Sequence, residues 1–130
     1  MFNATISKNI KVHNGLFKLC VKLDSEAISS YLPGQYTTLG LPKFGDDSGK
    51  KFLKRAYSLC SSPDDHGELE FFISIVEAGE LSPKLAPLQS GDRVLCGPKI
   101  TGTFTLKEIP VNSHLVLVAT GTGLDRKSVV

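Results

Sequence analysis

Tryptophan is absent from this chain, methionine occurs once, and cysteine occurs three times, at Cys20, Cys60 and Cys96. No Cys-x-x-Cys spacing exists, which argues against a zinc knuckle, and an odd, scattered set argues against a disulfide framework. The thiols are expected to be reduced and structural. His13, His66 and His114 are equally scattered among turn residues or at a strand start, so no metal site is expected. No apolar run approaches the roughly 20 residues that span a bilayer, and the N-terminus lacks the apolar core of a signal peptide. A net charge of +2 is too small to favour nucleic acid or a membrane surface. What these absences leave is a cytoplasmic domain, with neither nucleic acid nor membrane as a partner and a monomer as the default.

What is present reads as one β-rich domain. At 130 residues, 41% hydrophobic and 22% charged, the chain is long enough for a single core. Ala4, Ile6, Ile10 and Val12 alternate roughly, and Asn14-Gly15 then offers a hairpin turn. Phe17, Leu19, Val21 and Leu23 fall on one face of a returning strand. Pro33-Gly34 opens a third strand, from Gln35 to Leu41, and residues 42–51 form a loop by their Gly, Asp and Ser content. Leu69, Phe71, Ile73 and Ile75 alternate with Glu70, Phe72, Ser74 and Val76, the pattern of a long strand with one face in a core. Ser82-Pro83 has the chemistry of a helix start, with Ser82 as N-cap, and Pro87 should keep that helix short. Arg93–Cys96 and Thr103–Leu106 read as short strands. The sum, about six antiparallel strands and one short helix, is a mainly β Greek-key barrel.

The stretch Lys54-Arg55-Ala56-Tyr57-Ser58-Leu59-Cys60-Ser61 carries the chemistry. As a strand it projects Arg55, Tyr57 and Leu59 one way and Ala56, Ser58 and Cys60 the other. A rigid fork of donors beside an aromatic face suits a ligand with both a phosphate and a flat ring. On these residues alone the alternative is an arginine snorkelling beside an ordinary barrel tyrosine.

Arg55-Ala56-Tyr57-Ser58 followed by Ser61-Ser62-Pro63 resembles the Arg-x-Tyr-Ser flavin-binding signature of the ferredoxin–NADP reductase superfamily. Pro33-Gly34-Gln35-Tyr36, Leu81-Ser82-Pro83, Gly102-Thr103-Phe104 and Ala119-Thr120-Gly121-Thr122-Gly123 follow the family's order and intervals. The chain is most similar to the bacterial ferredoxin/flavodoxin–NADP reductases. The resemblance implies a six-stranded flavin-binding barrel holding FAD, with Arg55 on the pyrophosphate, Tyr57 stacked on the isoalloxazine and Ser58 beside its N5 edge. Strict alternation would turn Ser58 away from Tyr57, so a bent pleat or a backbone contact is required there. Ala56 lies within the signature. Phe72 stands where relatives place an aromatic, or else is core with Phe71. Glu80, Leu81 and Ser82 would present a helix start to a phosphate, Gly102-Thr103 would admit a ligand or make a tight turn, and Thr122 would lie near the flavin. NADPH is the implied donor in the intact relative, and ferredoxin or flavodoxin the implied acceptor. Lys50, Lys51 and Lys54 would either meet that acidic partner or form a solvated loop.

His114-Leu115-Val116-Leu117-Val118-Ala119 running into Thr120-Gly121-Thr122-Gly123 reads as a buried strand entering a nucleotide-binding α/β domain. The expected division is residues 1–112 as the FAD-binding domain, 113–124 as the start of a truncated NADP-binding domain, and 125–130 as a non-native tail. Nothing in so short a second segment would cradle NADPH, so the chain alone should not oxidise it. Two other readings stay open: a flavin domain from another superfamily member such as an oxygenase reductase component, or a non-enzymatic small β-barrel of the oligonucleotide-binding kind. Asp125-Arg126-Lys127-Ser128-Val129-Val130 departs from the family and matches one reading frame of a common sequencing adapter. Re-amplifying the gene from its source should give a different continuation after Leu124; recovering the hexapeptide and its stop codon would refute the expectation.

Overall fold

The computed structural model describes residues 1–25, 30–64 and 67–123, so the expectations for His66 and for residues 125–130 lie outside the described residues. Its strands are β1 (Ala4–His13), β2 (Leu16–Leu23), β3 (Tyr36–Pro42), β4 (Phe52–Ser58), β5 (Glu68–Ser74) and β6 (Arg93–Cys96), with one helix, α1 (Ser82–Leu85), before β6. They form a six-stranded antiparallel sheet in the order β4-β3-β6-β1-β2-β5. The two edge strands meet just beyond β4, where Leu59 and Phe71 form a bridge and the Cys60 N–H donates to the Glu70 carbonyl at 2.9 Å. The sheet thus curls until its edges touch, which removes part of the exposed edge that an open sheet would present.

Alternation sets the core. Phe17, Leu19 and Val21 of β2 and Leu69, Phe71 and Ile73 of β5 are buried, and they pack with Leu39, Leu59, Leu85 and Val94. Leu23 and Ile75 pack on this cluster from its margin.

β1 departs from the simple alternation. Ala4 and Ile6 are fully buried, but Ile10 is 47% and Val12 51% exposed. The register shifts between Ile6 and Lys8, leaving Ser7 as an extra residue, and again between Lys11 and His13. Each bulge inverts the side-chain phase and bends the strand. After the first, Asn9 rather than Lys8 stands opposite Leu19, and Ile10 moves to the other face. The Asn9 amide then donates to the carbonyls of Ala86 and Leu88 at 3.0 and 2.7 Å. Those carbonyls lie at and just after the C-terminus of α1, so the bulge places Asn9 as a clamp on the end of the helix.

α1 is a single turn, short as Pro87 requires. Its N-cap is Leu81, not Ser82, which occupies the first helical position with Pro83 second. The Ser82 hydroxyl instead accepts the Val76 N–H at 2.9 Å, a bond that draws it inward and away from a capping geometry.

Two other expected strands do not pair. Thr103–Leu106 forms bends rather than a strand, and the pairing falls earlier, at a bridge between Tyr36 and Thr101. There Gly102, at φ +129°, lies so close to the Tyr36 ring that a Cβ would come within 3.0 Å of it. The tight approach expected at Gly102 is therefore made to a side chain of this domain. Leu115–Val118 joins no strand of the described sheet, and Val116 is 89% and Val118 76% exposed. Among the described residues no disulfide joins the cysteines, and Cys20 and Cys96 are buried. Among the described residues no helix is long and apolar enough to cross a membrane, and no metal-binding cluster occurs.

Replacing Asn9 with Ala strands the Ala86 and Leu88 carbonyls. Urea unfolding should show a loss of about 1–3 kcal/mol, the cost of leaving half-buried acceptors unsatisfied; an unchanged midpoint would mean water replaces the amide fully.

Candidate functional site

The closure of the sheet sets the outer faces of β4 and β5 side by side. Between them opens a cavity of about 370 Å³, within the ~300–1,000 Å³ span of small-molecule sites. Ala56, Tyr57 and Ser58 form one wall, Phe72 the other, and Thr122 lies across the opening. Cys60, Ile73, Ser74 and Gly123 complete it. Five of the residues singled out in the sequence thus share one space, although β4, β5 and residue 122 are distant along the chain.

Each is positioned by its strand. Ser58 and Tyr57 pair across β3 with Tyr36 and Thr37, at the last rungs of β4. The strand ends there, and both residues reach the cavity where unbroken alternation would separate them. Tyr57 also packs against the margin of the core. Phe71 is core, whereas Phe72 lines the cavity. Beside Phe72 on the same face of β5, Glu70 pairs with Lys18 at 2.9 Å and accepts a contact from the Cys20 thiol at 3.8 Å. The Glu70 carboxylate bonded to Lys18 raises that ammonium above its usual range.

The remaining residues lie beyond the cavity. Arg55 is exposed, donates to the Lys54 carbonyl at 2.8 Å and approaches the Glu80 carboxylate at 3.8 Å. That contact brings β4 to the start of α1, so Arg55, Glu80, Leu81 and Ser82 converge on one end of the site. The first N–H groups of a helix have no acceptor within it, and α1's own bonds run back to Leu81 and Ser82 from Lys84, Leu85 and Ala86. An arginine fork and a helix start thus stand at one end, and two aromatic rings with hydroxyls at the other. These parts fit a ligand with phosphates and a flat heteroaromatic ring. Leu81 itself is buried, as is the Ser82 side chain.

The turn after β4 is braced from behind. The Tyr31 hydroxyl meets the Ser61 hydroxyl at 2.8 Å and the Ser62 carbonyl at 3.0 Å, and Ser61 Oγ accepts the Glu70 N–H at 3.1 Å. Upstream, Pro33-Gly34 makes a turn with Gly34 at φ +97°, closed by the Gln35 N–H on the Leu32 carbonyl, and the Gln35 amide donates to Gly102. Tyr31, Cys60 and Ser74 were not singled out as site residues. The alternation already put Cys60 on the face of Ser58 and Ser74 on the face of Phe72, whereas nothing local marks Tyr31.

This is the architecture of a flavin domain. The sequence profile of the oxidoreductase FAD-binding domain family matches residues 3–106, and the chain belongs to that family. It is 38% identical over 120 residues to the flavodoxin/ferredoxin–NADP reductase of Escherichia coli (strain K12), covering 90% of this chain and 45% of that protein. The chain therefore spans less than half the length of this relative. The structure resembles a ferredoxin NADP+ reductase from Neisseria gonorrhoeae solved with bound FAD and NADP, with a TM-score of 0.67, 27% identity, and coverage of 78% of this chain and 38% of that one. It also resembles the Amycolatopsis cytochrome P450 reductase GcoB, with a TM-score of 0.79, 25% identity, and coverage of 97% and 36%.

Burial pushes the Tyr57 phenol above its ordinary value, with the Arg55 charge pulling the other way. A folded pKa raised above the unfolded one gives stability that is complete below the unfolded value and lost as pH rises through the folded one. Urea midpoints measured from about pH 9 to 11 should therefore fall more steeply for the unsubstituted chain than for Tyr57→Phe. Parallel curves would show that the phenol is not desolvated.

Proposed function

We propose that this chain is the FAD-binding part of an NADPH-dependent reductase that delivers electrons to a ferredoxin or flavodoxin. The observation that carries the reading is the cavity itself, where Tyr57, Ser58, Phe72 and Thr122 meet next to Arg55 and the start of α1. Residues 1–112 would be the flavin domain and residues 113–124 the beginning of a second, nucleotide-binding one.

In this reading the Arg55 fork holds the pyrophosphate, which displaces Glu80 from the guanidinium. Exposed ion pairs contribute about 0–1 kcal/mol, so the exchange costs little. The N–H groups at Leu81 and Ser82 would add donors to the same phosphates. Tyr57 stacks on the isoalloxazine, Ser58 offers a hydroxyl and backbone to its polar edge with Ala56 leaving room beside it, and Phe72 presses from the β5 side. Thr122 bounds the ring near the domain junction. When bound, FAD supplies the exchange between hydride chemistry with NADPH and single-electron chemistry with the acceptor. The protein's share is to bind, orient and shield it.

A reductase serving an oxygenase is the second reading, favoured by the likeness to the Amycolatopsis reductase over 97% of this chain.

Purified chain should bind FAD, seen as a yellow protein and in titrations of flavin fluorescence. Arg55→Ala should weaken that binding by about 1.5–3 kcal/mol, the range for a hydrogen bond to a charged group, or roughly tenfold to a hundredfold in Kd. Superimposable titrations would remove Arg55 from the site.

A further inference from the structure

Cys60 and Ser74 line the cavity but fall outside every motif that identifies the family. Cys60 lies two positions beyond Ser58 and is held to β5 by its N–H on the Glu70 carbonyl. Ser74 lies two positions beyond Phe72, on the same face of β5. Both line the space that holds Tyr57, Ser58 and Thr122. We propose that Cys60 and Ser74 are cofactor-contacting residues of this cavity, with the Cys60 thiol covered when FAD is bound. The proposal rests on the reading of the cavity as the FAD site.

The geometry separates Cys60 from the other thiols. Cys20 and Cys96 are buried, whereas Cys60 is partly open to solvent on the cavity wall. Burial raises the Cys20 thiol above its ordinary range and pushes Cys96 up to about 11. A thiolate is the reactive form, so these two should react slowly under all conditions and serve as internal references. Iodoacetamide is a suitable probe: the thiolate sulfur forms a bond to its carbon, iodide leaves, and the thiol proton goes to buffer. The new carboxamidomethyl group then projects into the cavity.

The test is alkylation of the full chain with and without FAD, followed by mass spectrometry of the cysteine peptides. Without FAD, Cys60 should be modified fastest of the three. At free FAD ten times Kd, about one site in eleven is open, so the Cys60 rate should fall about tenfold while the other two hold. Pre-alkylated chain should in turn bind FAD more weakly. Slow modification of bare Cys60 would overturn the proposal, because the thiol would then not face the cavity. Unchanged modification in a sample whose flavin fluorescence shows FAD bound would overturn it while leaving the FAD site intact. Failure to bind FAD at all would instead refute the reading beneath it. Ser74→Leu tests the other residue: a Kd raised about tenfold or more is expected from a side chain filling the ring's space, a loss of about 1.4 kcal/mol. Slow alkylation of Cys20 and Cys96 would report that this variant is folded, and unchanged FAD affinity in it would remove Ser74 from the site.

Discussion

The junction of Leu59 with Phe71 is the constraint on which the site depends. Both side chains are buried, and the bridge between them joins the first and last strands of the sheet order. Side chains next to an inward residue point outward. Anchoring Leu59 and Phe71 inside therefore aims Ser58 and Cys60, and Glu70 and Phe72, at a common exterior. A hydrophobic contact in the core thus fixes the separation of the two walls outside it. Tyr31 and Ser61 reinforce the same point from the turn, since the Ser61 hydroxyl takes the Glu70 N–H that the short bridge leaves over.

Charge and burial divide the site into two regimes. The ring end is lined by Tyr57 and Phe72, where apolar area supplies affinity and a raised phenol pKa registers the loss of water. The arginine end is open, and Arg55 and Glu80 hold each other only at 3.8 Å in solvent. A buried, well-bonded ion pair there would have to be broken at a cost of several kcal/mol before a pyrophosphate could enter. The exposed pair keeps the guanidinium oriented and releases it cheaply.

The parts of the fold legible in the sequence are those where alternation runs unbroken. β2 and β5 are such strands, and their inward residues follow from period two alone. β1 hides its second half because a bulge at Ser7 shifts the phase, and nothing in Ser-Lys-Asn announces an extra residue. The role of Asn9 appears only when the helix it clamps is in place. Ser82 had the right chemistry for a cap but a stronger bond available, to the Val76 N–H. Thr103–Leu106 has strand-forming residues with no free edge opposite it, since Thr101 already takes Tyr36. For the site, the β4 motif and the face of Phe72 were legible, whereas the approach of Glu80 to Arg55 is a product of closure.

Leu115–Val118 poses a different physical problem. Four consecutive apolar residues stand exposed here, from 49% at Leu115 to 89% at Val116. Fully burying a side chain of this kind is worth about 1.5–3 kcal/mol, so the run forgoes several kcal/mol in this state. An extended apolar segment with unpaired backbone also templates association with other chains. Thr122, four residues on, already bounds the cavity. Any surface that covers Val116 and Val118 must therefore lie beside the open mouth of the cavity. Covering the run and shielding the cavity from water are met by the same placement, and this gives the apolar stretch a physical reason to sit next to the cavity.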